Sequence, residues 1–283
     1  MSSWPTDRLL LWAGALLYLA GFALGCLGVA RRHAPGAGQR MLLSALLAVG
    51  LGLQTAGLYS RGLVAGGCPL GNKFEIVQFV AWSATVLYFV VGPAFRVSLL
   101  GLFAAGYAAL LAFVSLLIPQ WDAVRGEKLF GQNPWIELHA ALAVFSYGVF
   151  ALLAMTSVMY LVQNWSLKHK RQTNLAWLLP SVVQLEQINY RLLLAGVVIL
   201  SFSLGVGAVW WSRDTSSVDW AKLIVTLAVW AAYLLVLALR GLGRVYATRL
   251  AWTCLILFVA ALVSLGPVNS SRHHEVILTP ESR

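Results

Sequence analysis

The sequence predicts an all-α, polytopic membrane helix bundle, and three observations lead to this fold class. Of the 283 residues, 60% are hydrophobic and only 11% are charged, and the mean hydropathy is +0.78. A soluble domain of this length needs more charge to cover its surface. The apolar residues come in long blocks that suit helices, since crossing about 30 Å of hydrocarbon takes roughly 20 residues. The alternating segments of about 10 residues that are typical of a β-barrel do not occur.

Eight such blocks predict about eight transmembrane helices in a single domain of residues 1–283. Only the turn at Gly92-Pro93 separates the third helix from the fourth. Between the fifth and sixth, LPSVVQLEQINY predicts a short interfacial helix that starts after Pro180 with Ser181 as its N-cap. The eight predicted spans cover about residues 8–29, 41–59, 74–92, 95–118, 136–163, 190–211, 219–239 and 247–267.

The distribution of charge predicts that the N-terminus and the C-terminus both lie on the outer side. With this topology, eleven Lys and Arg residues fall on the inner side and nine on the outer side, while nine of the ten acidic residues fall outside. An excess of Lys and Arg is typical of cytoplasmic loops. The first span has no basic segment before it and is followed by Arg31-Arg32, which favours a retained helix over a signal peptide.

Several classes of function are excluded by composition and motif. The net charge of +10 lies in short loops, and no Lys/Arg run with interleaved aromatic residues predicts a nucleic-acid partner. The cysteines, Cys26, Cys68 and Cys254, include no CxxC pair, so neither a thioredoxin-like motif nor a zinc knuckle is predicted. No P-loop, HExxH motif or Ser/His/Asp arrangement occurs.

A metal-ion or small-solute transporter is the weakest functional hypothesis. Transporters usually carry charged residues or broken helices near the middle of the membrane. Where a transporter would carry such residues, these spans show mainly glutamines and glycines. Gln54, Gln78 and Gln163 are expected to form hydrogen bonds between helices rather than a conduction path.

His139 is the first candidate for binding a cofactor. It follows Trp135 by four residues in NPWIELHAALAVFSYGVF, so both lie on one helix face near the outer boundary, while Glu137 lies on another. An imidazole at that depth is close to water but shielded on one side, and it could ligate a metal or a haem iron through one ring nitrogen. The alternative is a boundary histidine that hydrogen-bonds to a carbonyl or a lipid headgroup.

Tryptophans are concentrated in GAVWWSRDTSSVDWAK, which connects the sixth and seventh spans on the outer side. Trp210, Trp211 and Trp220 occur there together with Asp214 and Asp219. Tryptophans at a membrane boundary often form only an aromatic belt. Their clustering beside a candidate ligand would also suit a shelf for a flat aromatic molecule.

Two further outer segments contain ionisable residues. His273 and His274 follow the last span closely, and either could reach the surface that carries His139 or remain solvated. Two imidazoles on opposite sides of a haem iron make a six-coordinate site. Glu75 falls at the outer end of the third span, where it would pair or act as an N-terminal helix charge after Asn72.

The order of these segments resembles the cytochrome c assembly family of membrane proteins, the CcsA/HemX-like group, over about residues 70–275. GNKFEIVQFVAW is similar to the family's N-x-[YF]-E segment, which leads into an F-x-x-W span. WIELHAALAVFSYGVFALLAMTSVMYL is similar to its W-x-x-x-H…S-Y helix, the most specific match. LPSVVQLEQINYRLLLAGVVILSFSLGVGAVW is similar to its L-P-S-x-x-x-L-(D/E)-x-x-x-Y-R stretch and following glycine-rich span.

The resemblance implies a haem-handling protein of cytochrome c biogenesis on the outer face of a bacterial inner membrane. In this family the tryptophan-rich loop holds haem, and histidines from two flanking outer loops ligate its iron. The resemblance therefore implies haem as the cofactor, His139 as one ligand and His273 or His274 as the other. Partners would be the lipid bilayer, other cytochrome c assembly subunits and apocytochrome c. The other implied haem-binding residues are Trp135, Trp210, Trp211, Asp219 and Trp220.

The tryptophan-rich segment departs from the family's pattern, W-G-x-x-W-x-W-D-P-K-E. WWSRDTSSVDWAK retains Trp210, Trp211, Asp219 and Lys222 but lacks the glycine and the D-P-K-E run, and no span interior holds histidine. The chain thus resembles the shorter HemX-like branch. The alternative function is an accessory membrane protein that binds or stabilises a partner without a cofactor. Thioether formation needs reductant, and because no CxxC or flavin motif supplies it here, no enzymatic activity is assigned to the chain itself.

Overall fold

The structure is a computed structural model that describes residues 4–30, 36–95, 99–122, 134–170, 179–212 and 220–270. Within these ranges the chain is all-α, which confirms the predicted fold class. One 3-10 turn, Pro119–Trp121, follows the fourth helix. The long helices are α1 (Trp4–Ala30), α2 (Ala37–Ala65), α3 (Lys73–Phe95), α4 (Leu100–Leu117), α5 (Pro134–Lys168), α6 (Val182–Trp211), α7 (Trp220–Gly241) and α8 (Ala247–Ser270).

The length and hydropathy of the helices are those of a multi-pass membrane protein. Among the described residues, seven helices are long and apolar enough to cross a membrane, and α8 contains a shorter apolar stretch, Ala247–Val263. The helix that contains His139 is the longest, with 35 residues.

Two of the boundaries that differ from the sequence prediction lie in α2 and α3. Helix α2 continues past residue 59 to Ala65 and therefore includes Arg61, because that charge is paired inside the bundle. Gly92-Pro93 lies in the last turn of α3, which continues to Phe95, so the turn before α4 comes later than predicted. Proline lacks the backbone N–H that would bond to the carbonyl four residues earlier, and α3 ends only two residues after it.

The predicted start of the helix after Pro180 is correct, but the segment is not a separate interfacial helix. Ser181 Oγ accepts a hydrogen bond from Gln184 N, and Gln184 Oε1 accepts one from Ser181 N, both at 3.3 Å. This reciprocal pair is a capping box, which caps the N-terminus of the helix. The helix then continues without a break to Trp211, because Leu185 and Ile188 are buried in the same core as the rest of α6.

The helices pack as two groups that meet at α5. Helices α1, α2, α3 and α4 pack against one another, and α5 packs against α3, α6 and α8. In the second group, the rings of Phe150 and Tyr233 are stacked with their centroids 3.7 Å apart. A Cβ at Gly196 would overlap the Phe150 ring, so glycine at this position allows α6 to approach α5.

Contacts between helix termini define the two ends of the bundle. At one end, Cys68 in the α2–α3 loop contacts Glu137 at the start of α5, and His139 contacts Ser203 in the last part of α6. We call this the His139 end. At the opposite end, Asn164 of α5 donates to Thr248 of α8. Helix α8 therefore starts at the opposite end and runs toward the His139 end, as the predicted topology requires, while the side of the membrane stays a prediction.

Glutamines connect the first four helices deep inside the bundle. Gln54 Oε1 accepts a hydrogen bond from Tyr18 Oη at 2.8 Å, and Gln54 Nε2 donates to Gln78 Oε1 at 2.7 Å. Gln78 Nε2 in turn donates to Ser115 Oγ at 2.9 Å. The predicted interhelical hydrogen bonding is confirmed for these two glutamines. Within the described part of the chain, the buried Oε1 of Gln163 has no hydrogen-bond partner.

Candidate functional site

His139 lies in the second turn of α5 and is held by the backbone of α6. Its Nδ1 is 2.8 Å from the carbonyl oxygen of Ser203 and 3.1 Å from Ser203 Oγ. Ser203 Oγ donates to the carbonyl oxygen of His139 at 2.8 Å, and the serine is fully buried. The ring is thereby fixed in position and orientation by two helices.

The contact with a carbonyl determines which nitrogen of His139 carries hydrogen. A carbonyl oxygen only accepts, so Nδ1 must be the donor. In the neutral ring, Nε2 then keeps its lone pair and can ligate a metal ion. Histidine ligands of metals usually donate their other ring N–H to a carbonyl or carboxylate in this way. The chemistry of this nitrogen therefore fits a ligand of a haem iron.

Small and aromatic residues of α6 shape the space around the imidazole. The ring of Trp211 meets that of His139 edge to face, with centroids 5.4 Å apart. A Cβ at Gly207 would lie only 2.8 Å from His139 Nδ1 and 3.1 Å from the Trp211 ring. Glycine at position 207 is therefore what allows these two rings to pack together.

The structure brings only some of the predicted site residues together. His139 and Trp211 are in contact, whereas Trp135 and Trp220 are largely exposed, at 57% and 64%. The remaining predicted site residues are the side chain of Trp210 and all of Asp219, His273 and His274, and they lie outside the described part of the chain.

A second polar cluster at the His139 end was missed by sequence reasoning. Its centre is the guanidinium of Arg61, which is 3% exposed and contacts carboxylates from three other parts of the chain. Its Nη1 and Nη2 each donate to Asp122 at 2.8 Å, its Nε lies 2.7 Å from Asp7 Oδ2, and its Nη1 lies 3.4 Å from Glu75 Oε1. We call these four residues the Arg61 cluster.

The surroundings of the Arg61 cluster satisfy most of its remaining polar groups. The guanidinium of Arg61 stacks over the Phe74 ring, 4.4 Å from its centroid. Asn72 Nδ2 donates to Asp122 Oδ1, and Asn72 Oδ1 accepts from Glu75 N, which caps α3 as the sequence indicated. The predicted pairing of Glu75 is also confirmed, with Arg61 as its partner.

Asp122, which follows α4, is held in its ionised form. Burial by itself would raise the pKa of this carboxyl, but the Arg61 guanidinium outweighs burial and lowers the pKa below its ordinary value of 3.8. Its contribution to stability is therefore present above that value and is lost as the pH falls through the lowered pKa. The ion pair is complete at neutral pH.

The loop between α2 and α3 connects the Arg61 cluster with the helix of His139. Helix α2 ends at Gly66, which adopts a left-handed conformation with φ of 72° that favours glycine. Gly71 N donates to Glu75 Oε2 at 2.8 Å, within the cluster. Cys68 N donates to Glu137 Oε2 at 3.0 Å, in the first turn of α5.

The thiol of Cys68 is expected to react slowly with alkylating reagents. Burial, followed by the carboxylates of Glu137 and Glu75, raises its pKa to about 11. Because the thiolate is the nucleophile, labelling at pH 8 should be roughly 100-fold slower than for a free cysteine. The check is the iodoacetamide labelling rate between pH 7 and 11 in a Cys26→Ser, Cys254→Ala background. The rate should rise about tenfold per pH unit, and a plateau by pH 9 would contradict this.

Comparison with known proteins identifies the family of the chain. The family model described as "Cytochrome C assembly protein" matches residues 70–271, which is more than half of the chain. The chain belongs to the cytochrome c assembly protein family. The matched region of this family member contains α3 to α8, and therefore both His139 and Ser203.

Two kinds of named relatives are similar to this cytochrome c assembly family member. "Protein HemX" of Brevibacillus brevis is 32% identical over 58% of the chain and 60% of that relative. "Protein HemX" of Bacillus subtilis (strain 168) is 26% identical over 79% of the chain and 83% of that relative. "Cytochrome c biogenesis protein CcsA" of Microcystis aeruginosa is 26% identical over 83% of the chain and 85% of that relative. The resemblance predicted from the sequence is thus confirmed.

The family match divides the Arg61 cluster between two regions of the chain. Helices α1 and α2, with Asp7 and Arg61, precede residue 70, whereas Glu75 and Asp122 lie within the matched region. The buried Arg61 thus joins the two N-terminal helices to the region that defines the family.

Proposed function

We propose that this protein binds haem at the His139 end and presents it on the outer face of a bacterial inner membrane during cytochrome c biogenesis. His139 Nε2 would ligate the haem iron, and His273 or His274 would supply the second ligand. The single observation that carries the proposal is the hydrogen bond of His139 Nδ1 to the Ser203 carbonyl, which leaves Nε2 as the ligating atom.

The surroundings of His139 support a flat, apolar ligand. Trp211 packs edge to face on the imidazole, and Trp135, four residues before His139, is exposed on α5. Tryptophan rings offer large apolar faces for a porphyrin. Trp210, Asp219 and Trp220 belong to the same proposed site. Bound haem would supply the group to which thiols of apocytochrome c become joined.

The residues of this chain would hold and orient the haem rather than reduce it. Ser203 fixes the ring orientation of His139, and Gly207 leaves room for that ring. The named CcsA relatives support a role in cytochrome c biogenesis. Other assembly subunits and apocytochrome c would then be the partners. Electrons for thioether formation would come from those partners.

The His139→Ala variant is expected to lose the haem spectrum of the wild type. The protein is purified in detergent with haem available, and its absorption and electron paramagnetic resonance spectra are recorded. Bis-histidine bands should be present in the wild type and absent, or reduced at least about tenfold, in the variant, because metal affinity depends on each ligand.

His169 offers a matched control for this experiment. It lies next to the opposite end of α5, where its Nδ1 contacts the Trp165 carbonyl at 2.9 Å, a local contact within one turn. His169→Ala should retain the wild-type haem spectrum. Haem binding by the wild type no greater than by an unrelated membrane protein would refute the proposal.

A second candidate function is an accessory membrane protein that stabilises a partner without a cofactor. The departure of WWSRDTSSVDWAK from the family's tryptophan-rich pattern favours this alternative. Co-purification of one stoichiometric partner, unchanged by His139→Ala and in the absence of haem, would support this alternative instead.

A further inference from the structure

We propose that Arg61 is a positioning residue for the His139 site, acting through the loop of residues 66–72. The inference rests on the proposed haem site for its effect on haem, while the mechanical link between Arg61 and the loop can be tested without haem. Three steps connect the guanidinium to the helix of His139.

The first step is that Arg61 ties together four segments of the chain. It belongs to α2 and contacts Asp7 of α1, Glu75 of α3 and Asp122 after α4. All four residues are buried. Such a three-way contact suits the planar, five-donor guanidinium, and a lysine ammonium cannot reproduce its bidentate contact with Asp122. Arg61→Lys therefore keeps the positive charge but removes the bidentate contact with Asp122.

The second step is that the loop of residues 66–72 is built onto this cluster. Glu75 Oε1 faces Arg61 while Glu75 Oε2 accepts from Gly71 N at 2.8 Å, so one carboxylate holds both the arginine and the loop. Asn72 donates to Asp122, the main partner of Arg61. A displacement of Glu75 or Asp122 therefore moves the end of the loop.

The third step is that the same loop holds the first turn of α5. Cys68 N donates to Glu137 Oε2 at 3.0 Å, and His139 follows Glu137 by two residues. The loop therefore contacts the turn that carries the imidazole through Glu137, while Ser203 contacts the imidazole itself.

Arg240 provides a control of the same chemistry at the opposite end of the bundle. Its Nη2 contacts Glu186 Oε1 at 2.9 Å, and its guanidinium stacks over the Tyr246 ring at 4.1 Å. Arg240→Lys therefore disturbs an ion pair and an aromatic contact similar to those of Arg61. It has no described link to the loop or to α5 near His139.

The experiment compares Arg61→Lys, Glu137→Ala and Arg240→Lys in the full chain. One measurement is the labelling rate of Cys68 by iodoacetamide, in the Cys26→Ser, Cys254→Ala background. The other is the haem affinity and low-spin electron paramagnetic resonance spectrum of each variant in the otherwise native chain. Thermal unfolding in detergent identifies any variant that does not fold, and Glu137→Ala tests the same link with the Arg61 cluster intact.

Arg61→Lys is expected to label about tenfold faster at Cys68, because the loop opens more often. Glu137→Ala should also label faster, but loss of its carboxylate lowers the Cys68 pKa as well, so haem affinity is the deciding measurement for this variant. Both should bind haem about tenfold more weakly, as is usual when support of a ligand is lost, with shifted low-spin signals. Arg240→Lys should match the wild type in both measurements.

Two results would overturn the inference. One is an unchanged Cys68 labelling rate in Arg61→Lys. The other is faster labelling with an unchanged haem spectrum and affinity. If the wild type binds no haem, the proposed function fails, and faster Cys68 labelling would still support the link from Arg61 to the loop.

Discussion

Replacing Arg61 by alanine is expected to lower the free energy of unfolding by about 3–5 kcal/mol, the usual effect of removing one partner of a buried ion pair. The change leaves the carboxylates of Asp7, Glu75 and Asp122 buried without the guanidinium that they surround. The loss can be measured by denaturant unfolding of the detergent-solubilised protein. The difference in unfolding free energy between the wild type and Arg61→Ala should decrease as the pH is lowered toward about 4. Protonation of the buried carboxylates then removes the charge that Arg61 no longer compensates.

Arg240→Ala is the control for this prediction. The Arg240 guanidinium is 19% exposed and pairs with the single carboxylate of Glu186, so its loss should destabilise the protein by only about 1 kcal/mol. Equal losses for the two variants, or an Arg61→Ala variant as stable as the wild type, would contradict the account of the Arg61 cluster.

Replacing Gly207 by valine is expected to abolish haem binding while leaving a folded protein. A Cβ at this position would lie 2.8 Å from His139 Nδ1, and the extra methyl groups would force the imidazole away from the Ser203 carbonyl. Such overpacking typically costs about 1–3 kcal/mol in stability. The haem spectrum should be lost to the same extent as in His139→Ala.

Gly205→Val is the matched control, because a Cβ built at Gly205 would meet no atom within 4 Å other than the neighbouring backbone of α6 itself. Both substitutions put the same β-branched residue into α6, so they share its cost in helix propensity. Gly207→Val should unfold at a somewhat lower temperature than Gly205→Val because only Gly207→Val is overpacked, and only Gly207→Val should lose the haem spectrum. Retention of haem by Gly207→Val would show that the imidazole does not need its present position.

The fold was largely predictable because its main signal is the length of the apolar blocks. Helix α4, Leu100–Leu117, ends within one position of its predicted span of about residues 95–118 but begins five positions later, and hydrophobic length alone identified it. Helix α6 was predicted too short because charged and polar residues such as Glu186 and Asn189 interrupt the hydropathy. Those residues are tolerated where Arg240 pairs with Glu186 at the end of the bundle.

The candidate site was only partly predictable for a similar reason. The spacing of Trp135 and His139 identified the imidazole, but its partner Ser203 carries no sequence signal, since any residue has a backbone carbonyl. Arg61 was assigned to an outer loop because an isolated charge is costly in a membrane span. One sequence feature could have revealed the Arg61 cluster. Asp7, Glu75 and Asp122 all fall on the same predicted side of the membrane as Arg61, and they could therefore pair with it.

The most direct test of the central claim is chemical rescue of a His139→Gly variant by imidazole. The variant is purified with haem, and its low-spin spectrum is recorded during a titration with free imidazole. If His139 Nε2 ligates the iron, the variant lacks the low-spin spectrum alone and regains it as imidazole fills the vacated space beside Ser203. A His139→Gly variant that shows the wild-type spectrum without imidazole would contradict the claim.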